Sequence, residues 1–249
     1  MRYYLILFFC LPTICVAQIQ SARGAILRGD IKKKEIAIVF TGHEFADGGK
    51  FISKTLKEEK IKASFFFTGD FYRNGNFGSL IKKLKKSGHY LGAHSDKHLL
   101  YCSWENRDSL LVSKEEFLSD LNKNYGKMAR FGIKKSEAKY FLPPYEWYND
   151  TISKWTEESG LKLINFTSGT LSNTDYTTPD LKNYRNSEVI YNSIIDYERK
   201  NTLNGFILLI HIGTAPERTD KFYLRLPELI KDLKGKGYEF SRVDELLEK

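Results

Sequence analysis

The sequence has 249 residues, of which 41% are hydrophobic and 28% are charged, and its formal net charge is +8. This balance is typical of a folded globular chain and argues against disorder, and the length suits one domain with a deep core. The positive charge lies in short runs such as Lys32-Lys33-Lys34 beside predicted elements, so we interpret it as a solvated surface. Nothing in the sequence resembles a nucleic-acid-binding module, and we expect no nucleic-acid partner.

The first 17 residues have the pattern of a secretory signal peptide. Arg2 gives a basic start, residues 5–16 are mostly apolar, and Cys15-Val16-Ala17 is a small-x-small cleavage site. The apolar run is too short to span a membrane, and no later stretch approaches that length. We therefore expect a secreted or periplasmic protein with no membrane span and one domain over residues 18–249. Cleavage would leave Cys102 as the single cysteine, which excludes an internal disulfide.

From about residue 34, short β-rich runs alternate with amphipathic helical stretches. The patterns predict seven strands, at residues 35–41, 62–68, 89–93, 140–142, 161–166, 206–210 and 237–240. They predict helices at residues 48–60, 77–87, 113–130, 149–159, 187–202 and 222–233. Repeated strand–helix units indicate an α/β fold with a parallel sheet and helices outside. Seven strands within one domain favour a closed or distorted β/α barrel over an open sheet.

Chemically versatile side chains collect where the predicted strands end. They are His43, Glu44, His94, His98, Tyr145 and His211. In a barrel of this kind the active site lies at the carboxyl ends of the strands, so we expect these side chains to meet. His94 and His98 have the i,i+4 spacing that lets two imidazoles hold one metal ion, although the spacing alone is weak. His89 stands at a strand start, where a structural role is expected.

Four motifs occur in a distinctive order: Lys62-Ala63-Ser64-Phe65-Phe66 followed by Gly69, His94-Ser95-x-x-His98, Pro144-Tyr145, and Leu209-x-His211. With them the chain resembles the polysaccharide deacetylases with a NodB homology domain, which belong with the carbohydrate esterases of family 4. The resemblance covers almost all of the chain after residue 17. It implies a NodB-like distorted barrel of about seven parallel strands. It also implies a metal-dependent hydrolase that removes N- or O-acetyl groups from a polysaccharide or oligosaccharide.

The resemblance also implies roles for single residues. In the family the first motif reads T-F-D-D-G, with the base first and a metal ligand second, and Thr41-Gly42-His43-Glu44 takes its place here. Glu44, His94 and His98 would then bind a divalent metal, with Zn²⁺ as the first candidate and other transition metals also suited. His43 would be the base, a task that suits an imidazole because its usual pKa is about 6.5. A second frame, Phe45-Ala46-Asp47-Gly48, would make Asp47 the ligand and leave no base; we prefer the first because it follows the strand directly.

The later motifs depart from the family as well. Leu142 stands where the family has an arginine that orients the base carboxylate. A cation beside a histidine would depress its basicity, so losing the arginine and the aspartate together is consistent with one remodelling. The backbone N–H of Tyr145 would serve the oxyanion hole, and His211 would protonate the leaving atom. Asp175 is the best candidate for the family's acidic partner of that last histidine.

Aromatic residues give candidate contacts to the expected acetylated glycan. Trp104, Trp147 and Tyr176 are placed to stack on sugar rings, although aromatic residues also fill protein cores. The missing motif residues keep one alternative open, a carbohydrate-binding pseudoenzyme on the same fold that has lost its base.

Overall fold

The structure, a computed structural model, describes residues 20–248. The predicted signal peptide lies outside the described residues. Within them, no helix combines the length and the apolar character that crossing a membrane requires.

All seven predicted strands are present, together with two that the sequence patterns did not predict. The bounds are β1 Gln20–Ala22, β2 Ala25–Arg28, β3 Glu35–Gly42, β4 Ser64–Phe67, β5 Tyr90–Ala93, β6 Tyr140–Phe141, β7 Lys162–Leu163, β8 Phe206–His211 and β9 Glu239–Phe240. They form one sheet in the order β1-β2-β8-β3-β4-β5-β6-β7, with β9 paired to β3. Every pair among β3 to β9 is parallel, as the alternating pattern predicted.

The two unpredicted strands close the sheet. β1 and β2 form an antiparallel hairpin around Arg23 and Gly24, both with positive φ, as a tight two-residue hairpin turn requires. β2 then pairs antiparallel with β8 on one side. On its other side, Ile26 forms a parallel bridge with Ile164 just after β7, and the Asn165 N–H donates to the Ile26 carbonyl at 2.9 Å. The sheet therefore curls into a distorted barrel, which confirms the predicted α/β architecture.

The helices follow the predicted pattern closely. Their bounds are α1 Gly49–Glu58, α2 Gly69–Arg73, α3 Gly78–Lys86, α4 Lys114–Ala129, α5 Asp150–Glu158, α6 Ser187–Asn201, α7 Leu226–Gly235 and α8 Val243–Leu247. A capping box starts α4: the Glu116 N–H donates to Ser113 Oγ, and the Ser113 N–H donates back to the Glu116 carboxylate. The short helices α2 and α8 were not predicted, and a 3-10 turn at Phe222–Arg225 occupies the first part of the predicted final helix.

The strands separate two apolar layers. Ile36, Ile38 and Phe40 of β3 face the helices, whereas Ala37 and Val39 face the barrel interior. Because both faces are covered, these strands are continuous apolar runs rather than alternating ones. α8 packs against the interior layer, and its first N–H, on Val243, donates to the side chain of Ser64 at the start of β4. This helix covers the amino ends of the strands, so the opposite, carboxyl ends are free to form a cleft.

Candidate active site

A cleft of about 530 Å³ lies at the carboxyl ends of the parallel strands. Its lining includes eight of the nine residues predicted for the site, which are His43, Glu44, His94, His98, Trp104, Tyr145, Tyr176 and His211. The lining also includes Glu146, which was not among the predictions. The fold therefore brings residues from four strand ends and two long loops to one place.

His94 and His98 meet in this cleft as neutral imidazoles. His94 directly follows β5, and its Nδ1 lies 2.7 Å from the carbonyl oxygen of Leu142. Because a carbonyl only accepts, Nδ1 carries the proton and Nε2 keeps its lone pair. The two rings lie 5.1 Å apart. Burial lowers the pKa of His94 to about 3 and that of His98 to about 2, which gives both rings the protonation state of metal ligands.

One buried carboxylate holds the loop between these histidines. Asp120 on α4 is 5% exposed and accepts four hydrogen bonds from the loop and the segment after it. The donors are Ser95 Oγ at 2.6 Å, Asp96 N–H at 2.9 Å, Lys97 N–H at 3.0 Å and the Tyr101 hydroxyl at 3.2 Å. The loop needs such support because Ser95 and His98 both have left-handed backbone conformations, with φ of 73° and 56°. Asp120 thus fixes where the imidazoles point.

His43 joins the pair, but Glu44 stays at the rim. The His43 ring stacks on His98 at 4.8 Å, and its Nδ1 lies 3.1 Å from Thr68 Oγ1. The side chain of Glu44 is 67% exposed, and its carboxylate lies 3.9 Å from His43 Nε2. Within residues 20–248, no three His, Cys, Asp or Glu side chains come together as a metal site. The donor chemistry of His94 and His98 therefore fits a divalent metal, while the predicted third ligand does not stand beside them.

Asp47, the ligand of the second frame, is bound elsewhere. Its Oδ1 accepts the Thr214 N–H at 2.8 Å, and its Oδ2 accepts the Tyr223 hydroxyl at 2.9 Å. The ammonium group of Lys221 lies 3.1 Å from the same Oδ2. Asp47 is also absent from the cleft lining. These contacts give Asp47 a role in joining the loops after β3 and β8, and they disfavour the second frame.

His211 lines the same cleft as the imidazole pair and is paired with Asp175. Its Nδ1 lies 2.6 Å from Asp175 Oδ1, and its backbone N–H donates to Oδ2 of the same carboxylate at 2.9 Å. Burial opposes a charge on His211, but the hydrogen bond and the charge of Asp175 outweigh it, so the pKa of His211 is raised. The Tyr176 ring covers the imidazole at 5.0 Å. The loop between β7 and α6 thus supplies both a partner and a cover for the last histidine.

The Pro-Tyr motif forms a strained turn after β6. Tyr145 and Glu146 both have left-handed φ values, 58° and 54°, a conformation that costs roughly 1–3 kcal/mol for each non-glycine residue. The Tyr145 N–H donates to no other described residue, and its ring lies 4.4 Å from that of His98. The turn therefore leaves this N–H, on a residue that lines the cleft, without a protein partner, and the oxyanion role stays a prediction.

Glu146 is the residue of this site that sequence reasoning missed. It is partly buried and lines the cleft beside His211. Its pKa is raised to about 7, chiefly by burial; the charge of His211 opposes this rise and the charge of Asp175 adds to it. Its position directly after the Pro-Tyr motif at a strand end was the one signal in the sequence that could have identified it.

Three exposed aromatic rings surround the opening of the cleft. Trp104 is 57% exposed, Tyr145 45% and Tyr176 47%. Trp147 does not line the cleft: its ring lies behind Trp104 at 5.2 Å, and its Nε1 donates to the Ser103 carbonyl at 3.1 Å. The guanidinium group of Arg107 also covers the Trp147 ring. Trp147 therefore supports Trp104 instead of offering a free face to a ligand.

Comparisons with known proteins agree with this architecture. The profile of the polysaccharide deacetylase family matches residues 28–164. A peptidoglycan-N-acetylglucosamine deacetylase of Bacillus cereus is 28% identical over 215 residues, which cover 86% of this chain and 89% of that protein. The crystal structure of a peptidoglycan N-acetylglucosamine deacetylase superposes with a TM-score of 0.71 at 20% identity, over 90% of this chain and 92% of the other.

One solved structure with the same fold is of a protein described as a pseudoenzyme. A protein of Bacillus anthracis, described as a pseudoenzyme of carbohydrate esterase family 4, superposes with a TM-score of 0.68 at 20% identity. The superposition covers 91% of this chain and 69% of that one. At this identity the likeness extends to the fold alone, and it shows that the fold also occurs in a protein described as inactive. The family profile spans more than half of the chain, and we conclude that this protein belongs to the polysaccharide deacetylase family.

Proposed function

We propose that this protein is a secreted, metal-dependent carbohydrate deacetylase that hydrolyses N- or O-acetyl groups of a polysaccharide or oligosaccharide. One observation carries the proposal: the imidazole of His211, held by Asp175 through Nδ1, lines the same cleft as the pair His94 and His98. Acyl hydrolysis needs an acid on one side of the scissile bond and activated water on the other, and the cleft offers groups for both. Secretion rests on the predicted signal peptide, residues 1–17, ahead of the domain proposed for residues 18–249.

The substrate class follows from the relatives and from the opening of the cleft. A Bacillus cereus relative is named for deacetylating peptidoglycan N-acetylglucosamine, which favours an N-acetylated glycan. Trp104, Tyr145 and Tyr176 are exposed around the cleft and suit stacking on sugar rings. We therefore place N-acetylated glycan chains ahead of O-acetylated xylan as substrates.

Two side chains and one backbone N–H group would carry out the proposed hydrolysis. His43 would accept a proton from the attacking water, and the Tyr145 N–H would stabilise the oxygen that becomes negative. His211 would give a proton to the departing sugar nitrogen or oxygen, a role that suits its raised pKa and its fixed Nδ1 partner. The electron pair of the broken carbon–nitrogen or carbon–oxygen bond goes to that atom.

A divalent metal belongs to this proposal, with Zn²⁺ as the first candidate. His94 and His98 would hold it, and Glu44 would have to turn inward from the rim to complete the predicted set. When bound, the ion supplies polarisation of the acetyl carbonyl and a lower pKa for water. Calorimetric titration with Zn²⁺ and Co²⁺ tests this directly: His98→Ala should abolish binding and Glu44→Gln should weaken it, whereas Asp47→Asn should leave the affinity unchanged.

Acetate release is the decisive test of the activity. The purified protein is supplied with Zn²⁺ and incubated with N-acetylglucosamine oligomers, peptidoglycan and acetylated xylan. We expect acetate from at least one N-acetylated substrate and a large loss of that rate in His43→Ala and His211→Ala, with unfolding midpoints measured to verify folding. If every substrate stays acetylated and no metal binds, the proposal is wrong.

The exposed position of Glu44 favours a second candidate, a carbohydrate-binding pseudoenzyme. In that case the aromatic opening would bind glycan while the incomplete ligand set leaves the chemistry undone. The two candidates differ in one result: a pseudoenzyme binds N-acetylglucosamine oligomers with equal affinity in wild type and His43→Ala and releases no acetate from either.

A further inference from the structure

Arg218, in the loop after β8, is a fully buried cation. Its side chain is 0% exposed, and within residues 20–248 its Nε–H has no acceptor and no carboxylate forms an ion pair with it. Taking a cation out of water is costly, and the cost is met only where its donors find acceptors. What Arg218 does in the fold therefore depends on the groups that its two remaining nitrogens bind.

Both of these nitrogens bind the loop between β7 and α6. Nη1 donates to the Thr177 carbonyl at 2.6 Å, and Nη2 donates to the Arg185 carbonyl at 3.0 Å. The guanidinium carbon also lies over the Tyr184 ring, 5.2 Å from its centroid, an arrangement in which the ring attracts a cation. Because hydrogen bonds from an ionised donor are stronger than neutral ones, Arg218 fixes this loop at two points.

Thr177 ends the turn that carries Asp175 and Tyr176 as its two central residues. The N–H of Thr177 donates to the Thr174 carbonyl at 3.0 Å, and its Oγ1 donates to the same carbonyl at 2.7 Å. Asp175 accepts hydrogen bonds from the backbone N–H and from Nδ1 of His211, and the Tyr176 ring covers that imidazole. The turn is thus bound at its centre by His211 and at its end by the buried guanidinium group.

Arg218 assists His211 only through the position of Asp175. Burial lowers the pKa of His211, and the positive charge of Arg218 adds to that effect, whereas the charge and the hydrogen bond of Asp175 raise it. A carboxylate that moves out of hydrogen-bonding distance loses much of this influence. Since both His211 and Arg218 lie on the segment that ends β8 and follows it, one segment holds the turn at two places.

We propose that Arg218 is a positioning residue of this site: its guanidinium group holds the turn at residues 174–177, so that Asp175 stays bound to His211 and Tyr176 stays over the imidazole. This proposal rests on the deacetylase function proposed above, in which His211 gives a proton to the leaving atom. None of the motifs that carry the family resemblance includes Arg218.

Hydrogen exchange of the purified protein, followed by NMR, reports the contact between Asp175 and His211 directly. The His211 N–H donates to Asp175, whereas the next N–H, on Ile212, donates to the Thr41 carbonyl at 2.9 Å and serves as an internal reference. Arg218→Lys keeps the charge, but an ammonium group cannot serve both carbonyls as the planar guanidinium group does. We expect the His211 N–H to exchange about tenfold faster in this variant, with the exchange of Ile212 unchanged.

The rates with two leaving groups give the second readout. In Arg218→Lys, kcat for N-acetylglucosamine oligomers should fall roughly tenfold, which is part of the roughly 100-fold that a positioned acid contributes. The rate with p-nitrophenyl acetate should change less than about twofold, because its phenolate leaves without taking a proton. Arg199→Lys changes an exposed arginine of α6 that pairs with Asp196, and it should match wild type in exchange and in both rates.

The outcomes separate this proposal from the proposed function. A folded Arg218→Lys in which the His211 N–H exchanges as in wild type would overturn the role of Arg218. Equal acceleration at His211 and Ile212 would overturn it too, because it indicates a general loosening of the fold. If Arg218→Lys does not fold, Tyr184→Leu removes only the ring beside the guanidinium group and should accelerate His211 exchange selectively; no acceleration there contradicts the proposal. A wild type that releases no acetate contradicts the deacetylase function, while the exchange result still decides whether Arg218 holds Asp175 in place.

Discussion

Asp120 allows the sharpest test of how the fold positions the candidate metal ligands. The substitution Asp120→Asn keeps the shape of the side chain but removes the charge and one of two acceptor oxygens, while four donors still point at it. An amide oxygen can serve about half of them, so roughly two buried donors lose their partner at about 1–3 kcal/mol each. We therefore expect the free energy of unfolding to fall by about 2–6 kcal/mol.

Urea unfolding at pH 7 measures this loss, and Asp196→Asn provides the matched control. Asp196 is an exposed residue of α6 that pairs with Arg199, so its loss should cost less than about 1 kcal/mol. Zn²⁺ titration of the same variants measures the effect on the site, where Asp120→Asn should weaken binding because the loop that carries His98 is released. A loss of stability below about 1 kcal/mol with unchanged Zn²⁺ affinity would refute the reasoning.

Three further predictions concern other parts of the cleft and the core. Asp175→Asn should shift the alkaline limb of kcat/KM to lower pH, because His211 loses the partner that raises its pKa against burial; Asp180→Asn, in the same loop but exposed, should not shift it. Burial lowers the pKa of His89 to about 4, with Lys62 and Arg242 adding to the effect. Since an unfolded histidine titrates near 6.5, the unfolded state gains a proton first and stability should fall by up to about 3 kcal/mol from pH 6.5 to pH 4 in urea unfolding; His89→Gln should reduce this dependence, and an equal dependence in the variant would contradict the assignment. Trp104→Ala should raise KM for N-acetylglucosamine oligomers roughly fivefold to tenfold through the loss of about 1–1.5 kcal/mol of stacking, whereas Leu224→Ala, equally exposed but outside the cleft lining, should leave it unchanged.

The parallel strands could be predicted from the sequence, because burial on both faces leaves a strong local signal of consecutive apolar residues. The seven parallel strands are short apolar runs, and their carboxyl ends carry the histidines that the fold collects. The hairpin of β1 and β2 gave no such signal, since Gln20, Ser21 and Ala22 are exposed and its pairing depends on β8 and the end of β7, which are distant in sequence. Local patterns predict elements that bury their own side chains, and they miss elements whose partners fix them.

The same difference separates the acidic residues of the site. Asp175 was a candidate because the resemblance implied an acidic partner for the last histidine, and its hydrogen bonds to His211 span 36 positions of the sequence. Glu146 had only its position after the Pro-Tyr motif as a signal, and Asp120 had none. Asp120 lies within an ordinary amphipathic helix, and its four donors come from positions 19 to 25 residues earlier. An acidic side chain acquires a role from what surrounds it, and those surroundings are set by tertiary packing.

In the first motif, the direction of each side chain determines whether the residue reaches the cleft, and adjacency in sequence does not predict that direction. His43 and Glu44 are neighbours, yet the first stacks on His98 inside the cleft and the second extends to solvent. Successive residues leaving a strand point to opposite sides, so two adjacent ligands are not presented together without a further turn of the backbone. Gly42, the residue before His43, has no side chain. A larger residue could not supply a ligand there, because its Cβ would lie within 3.0 Å of Ile212, Phe67 and Phe71. In the proposed metal centre Glu44 would have to swing inward past His43, so we expect Zn²⁺ binding to be accompanied by reduced exposure of Glu44.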